Sequence, residues 1–279
     1  MVLYLLNFEE IPLLIAHFSD VHIGTGSDFL GGRMNTELAL RKAVACVAAL
    51  SPQPDVVLIT GDLAENGLAS EYAVLGNALS ELSLPVFAVP GNHDDSSVAC
   101  AVLARYMPVA GDAPSGSCCY SVVRGDLMFI GLDTTVPGRA FGALDASRLD
   151  WLASTLHLRK GYPVLLFMHH PPLPTGLEAM DACRLIEGAD RLAAIIREHG
   201  AVQGVLCGHL HRPVHMQFAG VPLSTAPSVA HQIDLDLRPA ASLRARLEPP
   251  KMLLHRWTPS FGLCTHVCYL EPFGAALAL

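Results

Sequence analysis

The chain of 279 residues is 51% apolar and 16% charged, with a mean hydropathy of +0.39, enough to bury a large core and leave apolar surface for a homo-oligomer. Its formal charge of −8 and pI near 5.9 exclude a broad phosphate-tracking surface, so no nucleic-acid partner is expected. Glu9, Glu10 and Pro12 interrupt the longest apolar run, and residues 1–14 lack the basic region and cleavage site of a signal peptide, so the expectation is a cytoplasmic protein with no membrane partner. The eight cysteines show no paired CxxC knuckle and read as reduced core thiols. Cys264 and Cys268 stand apart as candidates for an intersubunit contact or bond.

Short β-branched runs alternate with helical periods, the pattern of an α/β chain with buried strands. In chain order the strands are expected at 13–18, 56–60, 86–89, 164–168 and 202–207. One-faced helices are expected over 35–50, 70–82, 145–158 and 190–199, with Asn35, Ser70, Asp145 and Asp190 as N-caps and Gly200 as the stop. Residues 118–133 read as two strands joined at Gly125-Asp126, and 214–226 as two more joined at Ala219-Gly220, which implies a mixed sheet or two sheets. From about Arg238 the chain turns Pro- and Arg-rich before strand-like "MLLHRW" and "CTHVCYL". The expected division is a catalytic domain over 1–237 and a smaller cap or oligomerisation element over 238–279.

Every main strand ends in the same kind of event. "SDVHIG" follows the first, "GDLAENG" the second, "PGNHDD" the third, "HHPP" the fourth and "GHLH" the fifth. Carboxyl ends of strands in open α/β sheets line one crevice, so these loops should converge. Singly each has a plain structural reading: Asp20 as a cap, Gly61-Asp62 as a turn, Asn92 as an Asx-turn. Jointly they supply carboxylates, imidazoles and an amide oxygen, donors suited to divalent transition metals. Seven donors exceed the needs of one ion, whereas two ions sharing a carboxylate would use them all.

The ordered set Asp20-x-His22, Gly61-Asp62, Gly91-Asn92-His93-Asp94, His169 and Gly208-His209-x-His211 resembles the calcineurin-like metallophosphoesterase superfamily over residues 13 to about 233. Within it, "SDVH", "PGNHDD", "FMHHPPLP" and "CGHLH" are most similar to the class III cyclic-nucleotide phosphodiesterases and the bacterial glycerophosphodiesterases, and "PPKMLLHRW" bears a weaker similarity to the latter's C-terminus. The resemblance implies a four-layer α/β/β/α sandwich of two mixed sheets with a small C-terminal cap. It implies two ions drawn from Fe, Mn, Zn or Co, one held by Asp20, His22 and His211, the other by Asn92, His169 and His209, with Asp62 between them. A bridging hydroxide would then attack a small phosphodiester such as a glycerophosphodiester. Cyclic-nucleotide hydrolysis is the nearest alternative, then phosphomonoester hydrolysis, and last a non-enzymatic scaffold.

His93 matches the superfamily's non-ligand histidine beside the substrate, and is expected to protonate the leaving alkoxide or stabilise the transition state. His170 stays open as an alternative to His169. Asp94 and Asp95 read as acceptors or helix-start charges, and His17 as a packed strand histidine. Residues 24–35, with Arg33, and 173–188 could shape the substrate pocket or be plain surface loops.

Overall fold

A computed structural model describes residues 11–24, 30–271 and 274. The N-terminal stretch 1–10, and 25–29 of the Gly-rich segment, lie outside the described residues. The elements run β1 (Leu13–Phe18), α1 (Thr36–Ala49), β2 (Val56–Thr60), α2 (Ala69–Leu79), β3 (Val86–Val89), α3 (Ser96–Val102), β4 (Tyr120–Arg124) and β5 (Leu127–Leu132). They continue with β6 (Gly142–Ala143), α4 (Ala146–Leu158), β7 (Val164–Met168), α5 (Glu178–Asp181), β8 (Leu185–Glu187), α6 (Ala189–His199) and β9 (Val202–Cys207). The last are β10 (Val214–Phe218), β11 (Val221–Thr225), β12 (Gln232–Ile233), β13 (Ala245–Arg246), β14 (Lys251–Thr258) and β15 (Gly262–Tyr269).

Two mixed sheets face each other, in the orders β15-β14-β1-β2-β3 and β10-β11-β9-β7-β5-β4. One cluster of buried side chains, including Phe18, Leu58, Phe129 and Phe167, fills the space between them and runs out to α1 and α2. A second joins the other sheet to α4 and α6 through Leu149, Leu152, Leu192 and Ile196. The result is the expected α/β/β/α order. β1, β2 and β3 are parallel, as are β5, β7, β9 and β11, so the strand ends that carry polar loops share one rim.

Local chemistry sets the boundaries. Asn35 accepts the Leu38 N–H and Asp145 the Arg148 N–H, the expected caps of α1 and α4. Ser70 does not cap α2. Glu71 is buried and takes the Leu68 and Asn66 N–H groups, so that helix begins a residue earlier, at Ala69. Asp190 likewise falls inside the first turn of α6, which follows Gly188 at φ 86° and stops at Gly200 at φ 73°.

The expectation of reduced thiols throughout needs correction, because Cys100 and Cys118 form a disulfide across Cα atoms 6.3 Å apart. The α3–β4 connection folds back to bring them together, and their spacing alone carries no such signal. Cys264 is exposed and Cys268 half-buried, packed with Cys46 of α1 against the core.

The 238–279 extension, expected as a cap or oligomerisation element, sends β14 alongside β1 with Leu13 opposite Trp257, and β15 becomes the sheet edge. Trp257 is 3% exposed, belongs to the inter-sheet core and donates its indole N–H to Gln203 of β9 at 3.2 Å. Ahead of these strands, the β12–β13 pair leans on the 173–188 segment, where Ile233 packs with Leu177 and Met180. Replacing Trp257 by Ala should cost about 3–5 kcal/mol in urea denaturation, the range for a buried Trp. A loss below about 1 kcal/mol would mean that the tail is not part of the core.

Candidate metal centre

Five of the eight non-glycine residues with positive φ among the described residues are Asp20 (52°), His22 (49°), Asp62 (48°), His209 (70°) and His211 (52°), all of them metal ligands expected from the sequence. A left-handed backbone at such residues costs on the order of 1–3 kcal/mol each and persists only where the surroundings enforce it. Here the enforcement is visible. The Asp20 N–H donates to the Gly61 carbonyl at 3.0 Å and the His22 N–H to that of Asp62 at 2.8 Å, so the β1 and β2 loops leave the sheet locked together. The Gly208 N–H donates to the His169 carbonyl at 2.9 Å, and the His209 N–H to both oxygens of Asp20 at 3.1 Å.

Asp94 joins the β2 and β3 loops. Its carboxylate accepts N–H groups from Leu63, Ala64 and Gly91 at 3.0, 2.9 and 2.8 Å, and the Tyr72 hydroxyl at 3.1 Å. Asp95 caps α3 through the N–H groups of Ser97 and Val98. Two glycines are required by close approach. A Cβ on Gly91 would collide with the Asp62 amide and carboxylate, and one on Gly208 with the Ser19 hydroxyl and the Thr60 carbonyl.

All seven predicted ligands meet, in two sets that share Asp62. On one side His22 Nε2 lies 3.2 Å from His211 Nε2 and 3.5 Å from Asp62 Oδ2, and His211 Nε2 lies 3.3 Å from Asp20 Oδ1. On the other, His169 Nε2 lies 3.4 Å from Asp62 Oδ1, 3.1 Å from Asn92 Oδ1 and 3.3 Å from His209 Nδ1. Ion–donor bonds of 2.0–2.2 Å would separate neighbouring donors by about 3.0–3.6 Å, so both sets have the spacing of a coordination shell.

The opposite ring nitrogens explain which atoms are left over. His22 Nδ1 meets Glu65 Oε2 at 2.7 Å, His211 Nδ1 donates to the His231 carbonyl at 3.0 Å, and His169 Nδ1 donates to the Thr60 carbonyl at 2.6 Å. Each ring thereby turns its Nε2 toward the other donors, the arrangement of metal-binding imidazoles. His170 also has a ring nitrogen near those of His169 and His209. Both of its nitrogens are engaged, however, by Thr134 Oγ1 at 2.8 Å and the Ala140 carbonyl at 3.2 Å, so His169 is the histidine of the pair with a nitrogen to offer.

The charges of the site suit a cation. Burial pushes Asp20 up to about 6, although His169 pulls it back. Burial opposes charge on both Asp62 and His169, but their attraction prevails, holding Asp62 well below the usual range and His169 up at about 9. Burial, then His22, drives His211 down to about 3. Burial, then His170 and His169, keeps His209 far below its ordinary value. Two buried carboxylates, with His209 and His211 held neutral and His169 charged beside them, would bind a divalent ion at the expense of the proton on His169.

His93 stands at the open side with 38% of its side chain exposed, its Nδ1 donating to the Glu65 carbonyl at 3.1 Å and its ring edge-on to His22 at 4.7 Å. Two residues of the site escape a sequence reading. Glu65 lies three residues after Asp62 in "GDLAENG", where its carboxylate could pass for a loop charge. His231 lies with its ring 4.4 Å from that of His211, yet "SVAHQ" holds no second ligand type to flag it. The signal for His231 would have been its place in the loop after β11, one more strand end on the same rim. Arg33 is exposed in the short described part of its loop. The Gly91→Ala variant should stay folded but bind metal at least tenfold more weakly, because Asp62 must move; unaltered affinity in a metal titration would show that the close approach is not needed.

Residues 13–213 match the profile of the calcineurin-like phosphoesterase family. A probable glycerophosphodiester phosphodiesterase GpdQ from Arcobacter nitrofigilis is 34% identical over 94% of each chain. A 3',5'-cyclic-nucleotide phosphodiesterase from Nostoc is 33% identical over 80% of this chain and 81% of its own. Among solved structures, a purple acid phosphatase from yellow lupin seeds superposes with a TM-score of 0.66 over 94% of this chain, which spans 52% of the lupin chain. At 13% identity that likeness speaks for the fold alone. Fold, donor sets and sequence thus agree, and the chain belongs to the calcineurin-like phosphoesterase family.

Proposed function

We propose that this chain is a binuclear phosphodiesterase acting on small phosphodiesters, glycerophosphodiesters first among them. Its coarser frame, a metal-dependent phosphoric diester hydrolase, follows from the family and the donor clusters. The binuclear reading rests on one observation: the two oxygens of Asp62 face separate donor sets, Oδ2 with His22 and Oδ1 with His169. In this reading Asp20, His22 and His211 hold one ion, Asn92, His169 and His209 the other, and Asp62 both. When bound, the ions (Fe, Mn, Zn or Co) supply water activation and neutralise phosphoryl oxygens.

The chain's own residues do the rest. Glu65 and the His231 and Thr60 carbonyls fix the ring orientation of His22, His211 and His169. His93, with Nδ1 committed to the Glu65 carbonyl, keeps Nε2 for the proton that the departing alkoxide takes up. The preference for glycerophosphodiesters is supported by the Arcobacter relative, whose similarity extends over 94% of the chain, against 80% for the Nostoc relative. A homo-oligomer is part of the reading, supported by the exposed leucines 235, 237, 243 and 247. Among the described residues no helix is long and apolar enough to cross a membrane, in keeping with a cytoplasmic site of action.

The His93→Ala variant should keep its metal content while kcat falls by about 10² to 10⁴, the usual loss of a general acid. Metal lost along with activity would reassign His93 to holding the site together. With saturating Mn²⁺, glycerophosphoethanolamine should be turned over with a larger kcat/KM than cyclic AMP; the reverse order would move the chain to the cyclic-nucleotide branch.

A further inference from the structure

Behind the second donor set lies a buried polar chain that the proposed reaction does not use. His17 of β1 and His255 of β14 are both fully buried and meet Nδ1 to Nε2 at 3.1 Å. Outward, His255 Nδ1 meets Thr265 Oγ1 of β15 at 2.8 Å. Inward, His17 Nε2 meets Thr60 Oγ1 at the end of β2 at 3.0 Å. All four ring nitrogens are therefore partnered, and burial first of all keeps both rings neutral, with His255 down at about 3. A well-packed apolar pair would serve the core at no loss, since buried polar networks mainly specify geometry.

The geometry they specify is that of Thr60. Its carbonyl accepts His169 Nδ1 at 2.6 Å and Ser19 Oγ at 2.9 Å. Its carbonyl and hydroxyl also press against Gly208, where they leave no room for a Cβ, and Gly208 precedes His209. Thr60 thus supports His169 directly and His209 through Gly208, and reaches the other set only through Ser19, the neighbour of Asp20. A Thr60 hydroxyl without its His17 partner would turn to nearby backbone acceptors, as threonine hydroxyls do, and tilt that support.

We propose that His255, acting through His17 and Thr60, is a positioning residue for the second metal set, so that a C-terminal strand outside residues 13–213 tunes one ion and not the other. The inference rests on the reading of His169 and His209 as ligands of a separate ion. It links the extension to the chemistry by four contacts across four strands, from β15 through β14 and β1 to β2.

The test is a stepwise Mn²⁺ titration of the metal-free protein by calorimetry, with melting temperature recorded alongside. Asn92→Ala identifies which step belongs to the second set. His255→Leu should weaken that step about 10- to 100-fold, the range for losing a partner that orients a ligand, and leave the other step within about threefold. His255→Gln, which can still reach His17, should restore most of the affinity. Thr60→Val, which removes only the hydroxyl, should reproduce the Leu effect and carries the test should the Leu variant fold poorly. Equal weakening of both steps, no weakening in Thr60→Val, or no rescue by Gln would overturn the inference alone. A parent protein with a single binding step would overturn the binuclear reading and the inference with it.

Discussion

Two carboxylates and four imidazoles, buried with their donor atoms 3.2–3.5 Å apart, cannot all present lone pairs to one another without positive charge between them. That constraint organises the rim of this molecule. With every Nδ1 of His22, His169 and His211 tied to an acceptor, their Nε2 atoms are turned toward one another and toward the Asp20 and Asp62 carboxylates. Protons relieve the pair formed by Asp62 and His169, but burial keeps His211 and His209 neutral, so protons alone leave the set incomplete. In the proposed binuclear reading, a divalent ion on each side of Asp62 would complete it.

The backbone is built around the same demand. Left-handed conformations at Asp20, His22, Asp62, His209 and His211 bring donors from strands β1, β2 and β9 inward at angles an extended strand would not allow. Loop-to-loop hydrogen bonds and the Asp94 carboxylate hold that strain in place. Gly91 and Gly208 leave the space into which neighbouring loops press. Packing far from the rim contributes too, since two sheets with aligned parallel strands are what bring five loops to one edge.

Much of this was legible in the residues. The five main strands, both hairpin turns and all seven predicted ligand positions carry local marks: β-branched runs, Gly-Asp or Ala-Gly turns, and a metal-binding type at each strand end. What was not legible depends on contacts between distant parts of the chain. β14 pairs with β1 from the opposite end of the sequence, so a tail that reads as an appendage becomes sheet. His231 and Glu65 join the site only because folding carries their loops there, and Cys100 meets Cys118 only because the α3–β4 connection folds back. Ser70 looks like a cap until the Glu71 carboxylate is seen to satisfy the backbone ahead of it. His17 shows the limit from the other side: read as a satisfied strand histidine, it is satisfied by a second histidine that no local pattern pairs with it.

A binuclear centre requires each oxygen of the Asp62 carboxylate to face an ion of its own. Anomalous diffraction from crystals grown with excess Mn²⁺ measures this directly. Two peaks about 3.5–4 Å apart, one beside Oδ1 among Asn92, His169 and His209, the other beside Oδ2 among Asp20, His22 and His211, are the predicted result. A single peak, or a second peak away from Asp62, would contradict it.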